Sequence, residues 1–339
     1  MGVAAADLDG DGLVDIATSN GMGGNSFGFS ILRGLGSGRF ASKVDFPTPW
    51  VAAPERVYLH DLNSDGKVDV ILPYWGDSTF AVFTNTSVNA GTFTFAEPLH
   101  IGLSSSGRIW SMTFADFDGD GKVDAAAADP QKISIFRNTG DQAGPISFAP
   151  RIDLPSVAGN FRSIVAADFD GDGRTDIITT NRILHNTSVQ PGEISFAAST
   201  FQSGIHLAVA DFDNDGKVDL SGYDGSDRIF VMRNLSTPGT ISLAARQIFD
   251  TGPTTYDLFA VDIDGDNKID VLTLNQGANS ITALRNVSPN IGSIAFAPRQ
   301  HDFGTGYVPY RMFVANLDGD QKPDVLTANI EVSTVSVIL

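Results

Sequence analysis

Asp116-Phe117-Asp118-Gly119-Asp120-Gly121-Lys122-Val123-Asp124 decides the reading of this chain. Carboxylates stand at positions one, three, five and nine, and glycine stands at six. The pattern returns at 7–15, 61–69, 168–176, 211–219 and 262–270 and, altered, at 316–324. Successive copies begin 54, 55, 52, 43, 51 and 54 residues apart. A period in this range suits one blade of four short strands, so 1–339 reads as a single repeated domain.

The segments between the loops agree with that reading. Apolar strands lead into and out of each loop, at Arg162–Ala167 and Asp176–Thr180 in unit four, and at Leu207–Ala210 in unit five. Unit six follows its loop with Asp270–Leu274. A third strand carries Ile135-Phe136-Arg137-Asn138, Ile183-Leu184-His185-Asn186, Val231-Met232-Arg233-Asn234 or Ala283-Leu284-Arg285-Asn286. A Gly/Pro/Ser-rich turn follows. A fourth strand is expected to begin at Ile146, Ile194 and Ile294. Short β-branched and aromatic runs between turn residues predict an all-β, seven-bladed β-propeller of four-stranded antiparallel blades. Unit seven ends at Leu339 inside its third strand, so blade seven is expected to lack its outer strand. That leaves Ser333–Leu339 as an open edge, and the chain is expected to belong to a longer native protein.

The loops have the chemistry of a hard-cation site. Calcium takes six to eight oxygen ligands, and three carboxylates at alternate positions, a carbonyl at seven and a carboxylate at nine supply them. Glycine at six (Gly12, Gly66, Gly121, Gly173, Gly216) lets the backbone bend sharply. The candidate ligands are Asp7, Asp9, Asp11, Leu13 and Asp15; Asp61, Asn63, Asp65, Lys67 and Asp69; Asp116, Asp118, Asp120, Lys122 and Asp124. They continue as Asp168, Asp170, Asp172, Arg174 and Asp176; Asp211, Asp213, Asp215, Lys217 and Asp219; Asp262, Asp264, Asp266, Lys268 and Asp270; and Asn316, Asp318, Asp320, Lys322 and Asp324. The residue at seven contributes its carbonyl. Up to seven structural calcium ions are expected. An EF-hand is excluded, because position twelve is Thr18, Leu72, Ala127, Thr179, Gly222, Thr273 or Thr327, and the flanks are strands. Magnesium is disfavoured because it keeps its waters. Asn316, Gln321 and Pro323 make the seventh loop the weakest expected site.

Net charge is −18, and 26 of the 40 acidic residues lie in the loops, so the acidity is stored metal sites and not a partner surface. It excludes a nucleic-acid binder and adsorption to anionic membranes. There is no cysteine and no run long enough for a membrane-spanning helix, so no membrane insertion is expected. Calcium modules tuned to extracellular concentrations place the protein outside the cell or on its surface.

The loop series, set between the first two strands of each repeat, resembles the FG-GAP/VCBS repeat family. That family includes the integrin α-subunit propeller, some fungal lectins and propellers attached to bacterial polysaccharide-degrading enzymes. Segments such as Arg137-Asn138-Thr139-Gly140 with Ile146-Ser147-Phe148-Ala149 look like the bacterial VCBS type. The resemblance implies a seven-bladed propeller with calcium in the hairpin between strands one and two. It does not imply one activity.

Ligand candidates are expected at the blade ends away from the calcium loops: Trp50, Arg56, Tyr74, Trp75, Arg108, Trp110, Arg162, His206, Tyr223, Tyr310 and Arg311. Aromatic rings beside Arg and Asp suit sugars and protein hot spots alike. The expected function is extracellular binding or adhesion, with a glycan or an extracellular protein as partner. The alternative is a polysaccharide-active, lyase-like enzyme or its propeller portion, with His206 or a Tyr beside Arg162 or Arg311 as base and cation. No catalytic residue is assigned. His60 and His185 read as structural, and the Asn-x-Ser triplets at Asn85, Asn186, Asn234 and Asn286 read as turns and not as glycan sites.

Overall fold

A computed structural model describes residues 2–21, 27–48, 52–76, 78–103, 108–154, 163–200, 204–225, 227–299 and 302–339. It is an all-β, seven-bladed β-propeller. Six sheets have four antiparallel strands in sequence order, and the seventh has three (Pro309–Ala315, Asp324–Asn329 and Thr334–Ile338). The expected absence of a fourth strand from these residues of blade seven is met.

Blade four shows the plan. Its strands are Ile164–Ala167, Asp176–Thr179, Arg182–Asn186 and Phe196–Thr200. Second strands are buried along nearly their whole length, as in Asp69–Pro73 and Asp270–Asn275. That is why they read as continuous apolar runs and not as alternating ones. Outer strands such as Val44–Pro47 are largely exposed. Of the three outer strands placed from the sequence, the one in blade four starts near its expected place, at Phe196, and those in blades three and six start later, at Ile152 and Asp302. Phe95, Phe148, Leu243 and Phe296 make only isolated bridges to Asn85, Asn138, Asn234 and Asn286. In blade three the continuous ladder resumes at Ile152–Leu154. The cause is the turn just before, which ties the chain back to the end of the third strand.

The chain forms two compact units. The first holds blades seven, one and two with the turn 139–147; the second holds the sheets of blades three to six. Within the first, Leu8, Ala17, Phe29 and Ile31 of blade one pack on Val70, Leu72, Tyr74 and Phe83 of blade two. Val3 and Ile16 pack on Leu317, Leu326 and Ala328 of blade seven. Within the second, each junction is built in the same way, with Phe117, Phe169 and Phe212 as plugs. These plugs are residue two of the acidic loops. The D-x-D spacing therefore inserts a large apolar side chain into the layer shared with the next blade, while the flanking aspartates face the loop.

A polar clasp accompanies each plug. Asn234 is fully buried. Its Nδ2 donates to the carbonyl of Phe169, the plug of the preceding blade, and to Val218 of its own. Its Oδ1 accepts from the Ser236 amide, whose Oγ accepts in turn from the Ser242 amide. Asn186 and Asn286 repeat this set in the second unit, and Asn85 does so in the first. The Asn-x-Ser triplets are therefore buried inter-blade fasteners. Asn234→Ala leaves two buried carbonyls and an amide without partners, and is expected to destabilise the protein by about 3 kcal/mol in urea unfolding. Val189→Ser, at an exposed site, is expected to change it by no more than about 0.5 kcal/mol.

Candidate metal centres

The first aspartate of each loop organises the turn. Asp116 Oδ1 accepts the amides of Gly119 (2.7 Å) and Asp120 (3.2 Å), and its Oδ2 accepts that of Gly121 (2.8 Å). Asp120 Oδ1 accepts from Lys122 N. Two positions per loop need positive φ. Position six was legible as glycine; position four was not, and it takes Gly10, Ser64, Gly119, Gly171, Asn214, Gly265 or Gly319. A Cβ added at Gly119 or Gly121 would meet nothing within 4 Å, so glycine serves conformation there and not space. Asn267 and Gln321 occupy position six at φ 63° and 71°.

The ninth position does two things at once. Asp124 is fully buried, and its Oδ2 accepts from Phe117 N while its Oδ1 accepts from Asn138 N, at the end of the third strand. The same pair of bonds holds Asp15, Asp69, Asp176, Asp219 and Asp270. Burial pushes Asp124 and Asp219 up to about 7, and Asp15, Asp69 and Asp176 up to about 6, against the backbone bonds that pull them down.

Positions one, three and nine converge. Ligand atoms of Asp7, Asp9 and Asp15 lie within 4.8 Å of one another, as do those of Asp116, Asp118 and Asp124, of Asp168, Asp170 and Asp176, and of Asp211, Asp213 and Asp219. In blade two, position three is Asn63, and its buried Oδ1 has no hydrogen-bond partner. An oxygen stranded at a ligand position fits a cation better than a purely structural turn. These all-oxygen clusters have the donors a hard divalent ion requires.

Sequence reasoning missed the cations of the third strand. Arg33 Nε and Nη2 bind Asp9 (2.8 Å) and Asp11 (2.6 Å). Arg233 and Arg285 bind positions three and five of their own loops in the same way, and Arg137 lies 3.8 Å from Asp118. Blade four uses His185. Where position three is the neutral Asn63, the strand has Thr84. That pairing of charge with charge was the available signal. The third-to-fourth-strand turn of the next blade closes the group: Gly91 N donates to Asp9 Oδ2, Gly192 N to Asp118 Oδ2 and Gly239 N to Asp170 Oδ2. Loop and turn thus share one end of the blades within each unit.

The ligand candidates divide. Trp50 and Arg162 lie outside the described residues. Tyr74 is completely buried in the core and is withdrawn as a ligand residue, because the blade-one and blade-two sheets close over it. Tyr223, His206 and Arg311 are also buried; His206 packs on Tyr256, and Arg311 lies over the Tyr310 ring. Arg56 and Trp110 are half-buried. Trp75 is 48% exposed, with the Arg108 guanidinium 5.3 Å above its ring and Glu55 3.4 Å from that guanidinium.

The FG-GAP-like repeat model matches residues 7–72, 61–127, 116–179, 211–273 and 262–327. The chain belongs to the FG-GAP-like repeat family. No curated protein sequence matches it. Among solved structures it is similar in fold to a lectin from Agrocybe aegerita, described as recognising non-reducing terminal N-acetylglucosamine (19% identity, 97% of this chain and 88% of that one, TM-score 0.61). It is also similar to a 6-phosphogluconolactonase homologue from Bacteroides uniformis (17%, 88% and 84%, 0.60) and to the periplasmic gluconolactonase of Pseudomonas aeruginosa (15%, 98% and 87%, 0.58). At these identities the likeness concerns the fold alone.

Two outcomes follow for the FG-GAP-like loops. With chelator present, the buried ninth-position aspartates hold protons in the folded state that the unfolded chain has already lost above its ordinary carboxylate range. Their contribution to stability is therefore full below the ordinary carboxylate range and is lost as pH rises through about 6 to 7, so the urea midpoint with chelator is expected to drop across that window. Gln321→Gly relieves a left-handed conformation and is expected to gain about 1 kcal/mol, whereas Gly121→Ala is expected to lose about as much.

Proposed function

We propose that the protein is a calcium-stabilised extracellular binding module that recognises a glycan through the blade ends away from the loops. The observation that carries the reading is the pairing of two features in blade two. An acidic loop with a stranded oxygen at a ligand position, Asn63 Oδ1, lies at one end. An exposed Trp75 backed by Arg108 and Glu55 lies beyond the opposite end of the second strand, Asp69–Pro73. An aromatic face offers a sugar ring its C–H surface, and the flanking charged pair offers hydroxyl partners.

Calcium acts here on stability. One divalent ion per loop offsets carboxylates that repel one another around each turn, so binding to the folded state alone raises its stability. Family membership and the acidic clusters support this, and FG-GAP repeats are typical of extracellular proteins. No helix among the described residues is long and apolar enough to cross a membrane. The fungal lectin of the same fold binds a terminal amino sugar, and terminal sugars are the first class to test. An extracellular protein ligand is the competing outcome.

Excess chelator is expected to lower Tm markedly, and calcium to restore it by a larger margin at pH 7.5 than at pH 5.5, since the ion competes with protons for the ninth-position carboxylates. Asp120→Asn is expected to reduce this increment more than Asp320→Asn in the poorer seventh loop. A glycan array is expected to show calcium-dependent binding that falls at least tenfold in Trp75→Ala with Tm unchanged. Binding unaffected by Trp75→Ala, or cleavage of an acidic polysaccharide in place of retention, overturns the reading.

A further inference from the structure

The residue just before the clasp position on the third strand is Arg33, Arg137, Arg233 or Arg285 in blades one, three, five and six, and His185 in blade four. A guanidinium is a donor only and never ligates a metal, whereas a neutral imidazole is a metal ligand. The exchange gives blade four a chemistry that the other blades lack. We propose that blade four carries a second metal site, for a transition ion of the zinc class, formed by His185 Nε2, Asp170 Oδ2 and Asp172 Oδ2, with both carboxylates shared with the hard-cation loop.

The geometry carries the assignment. His185 Nε2 lies 3.0 Å from Asp170 Oδ2 and 3.4 Å from Asp172 Oδ2. An ion with bonds of about 2.0–2.1 Å in tetrahedral coordination holds its ligands about 3.3 Å apart. These separations match two edges of that tetrahedron, and ligand atoms of all three residues lie within 4.8 Å of one another. The site is sheltered: the Asp170 side chain has no exposed surface, Asp172 has 7% and His185 15%. The fourth position is left to water.

Two other groups reach these oxygens. Gly239 N donates to Asp170 Oδ2 at 2.6 Å, which suits a ligating carboxylate, since such oxygens commonly accept an outer hydrogen bond. Arg174 Nη2 pairs with Asp172 Oδ2, and its side chain is 43% exposed, so it can turn to solvent when an ion arrives. Nitrogen ligation separates this site from the loop by hardness. Calcium and magnesium prefer the all-oxygen cage; zinc, cobalt, nickel and copper prefer a site with imidazole. The inference stands whether or not the loop itself holds calcium.

The test uses the full chain with calcium in excess. Co²⁺ is titrated by its visible ligand-field absorption, and Zn²⁺ by calorimetry. One equivalent is expected to bind in the presence of millimolar calcium and magnesium, and X-ray absorption of the zinc form is expected to show one imidazole ligand. His185→Arg installs the residue of the other blades and preserves the ion pair, so Tm is expected to hold while Zn²⁺ affinity falls at least tenfold. Asp172→Asn is expected to weaken binding too, and Asp266→Asn in blade six to leave it unchanged. If His185→Arg binds Zn²⁺ as tightly as the parent, or if calcium displaces Co²⁺ completely, the ion occupies loop carboxylates only and the proposal is wrong.

Discussion

Each blade depends on a carboxylate that has been taken out of water. In blades one to six the ninth-position aspartate accepts one backbone N–H from its own loop and another from the end of the third strand, as Asp124 does with Phe117 and Asn138. Those two bonds set the loop against the sheet and place positions one and three where a cation can be shared. The cost is electrostatic. A buried carboxylate prefers to be neutral, and neighbouring aspartates make that worse. The third-strand cation relieves it, and a divalent ion held by the same carboxylates would relieve it further.

The loops are also the joints between blades. Residue two plugs the shared apolar layer, its carbonyl receives the asparagine of the next blade, and the third-position carboxylate receives a glycine amide from the next turn. Each such loop therefore makes three kinds of contact to the neighbouring blade. The device is not uniform. Blade one has Gly34 at the clasp position, where a Cβ would meet Val14 O at 2.4 Å, so its junction with blade seven rests on apolar packing. Variation in these fasteners distinguishes the blades more sharply than their strands do.

Much of this was legible in residues. The fold followed from the spacing of the loops, and the convergence of the first, third and ninth carboxylates from their places in the loop. Glycine at six was readable, while Ser64 and Asn214 concealed the equally strict demand for positive φ at four. The outer strands of blades three and six were placed several residues early, because Phe148 and Phe296 look like strand residues yet serve as single bridges. Tyr74 looked like a surface aromatic and lies in the core, since its neighbours Pro73 and Trp75 give no sign of which side chain turns inward.

The chain alone determined the seven-fold repeat and the acidic loops with their all-oxygen donors, because these are written in local spacing and donor type. Only the tertiary structure decided which side chains cross from one blade to the next. Asn234 reaches a carbonyl 65 residues away, and Gly239 reaches a carboxylate 69 away. Such contacts join positions with no local pattern between them. It was likewise packing, and not sequence, that turned the Asn-x-Ser triplets into buried clasps and brought His185 beside two aspartates of its own loop.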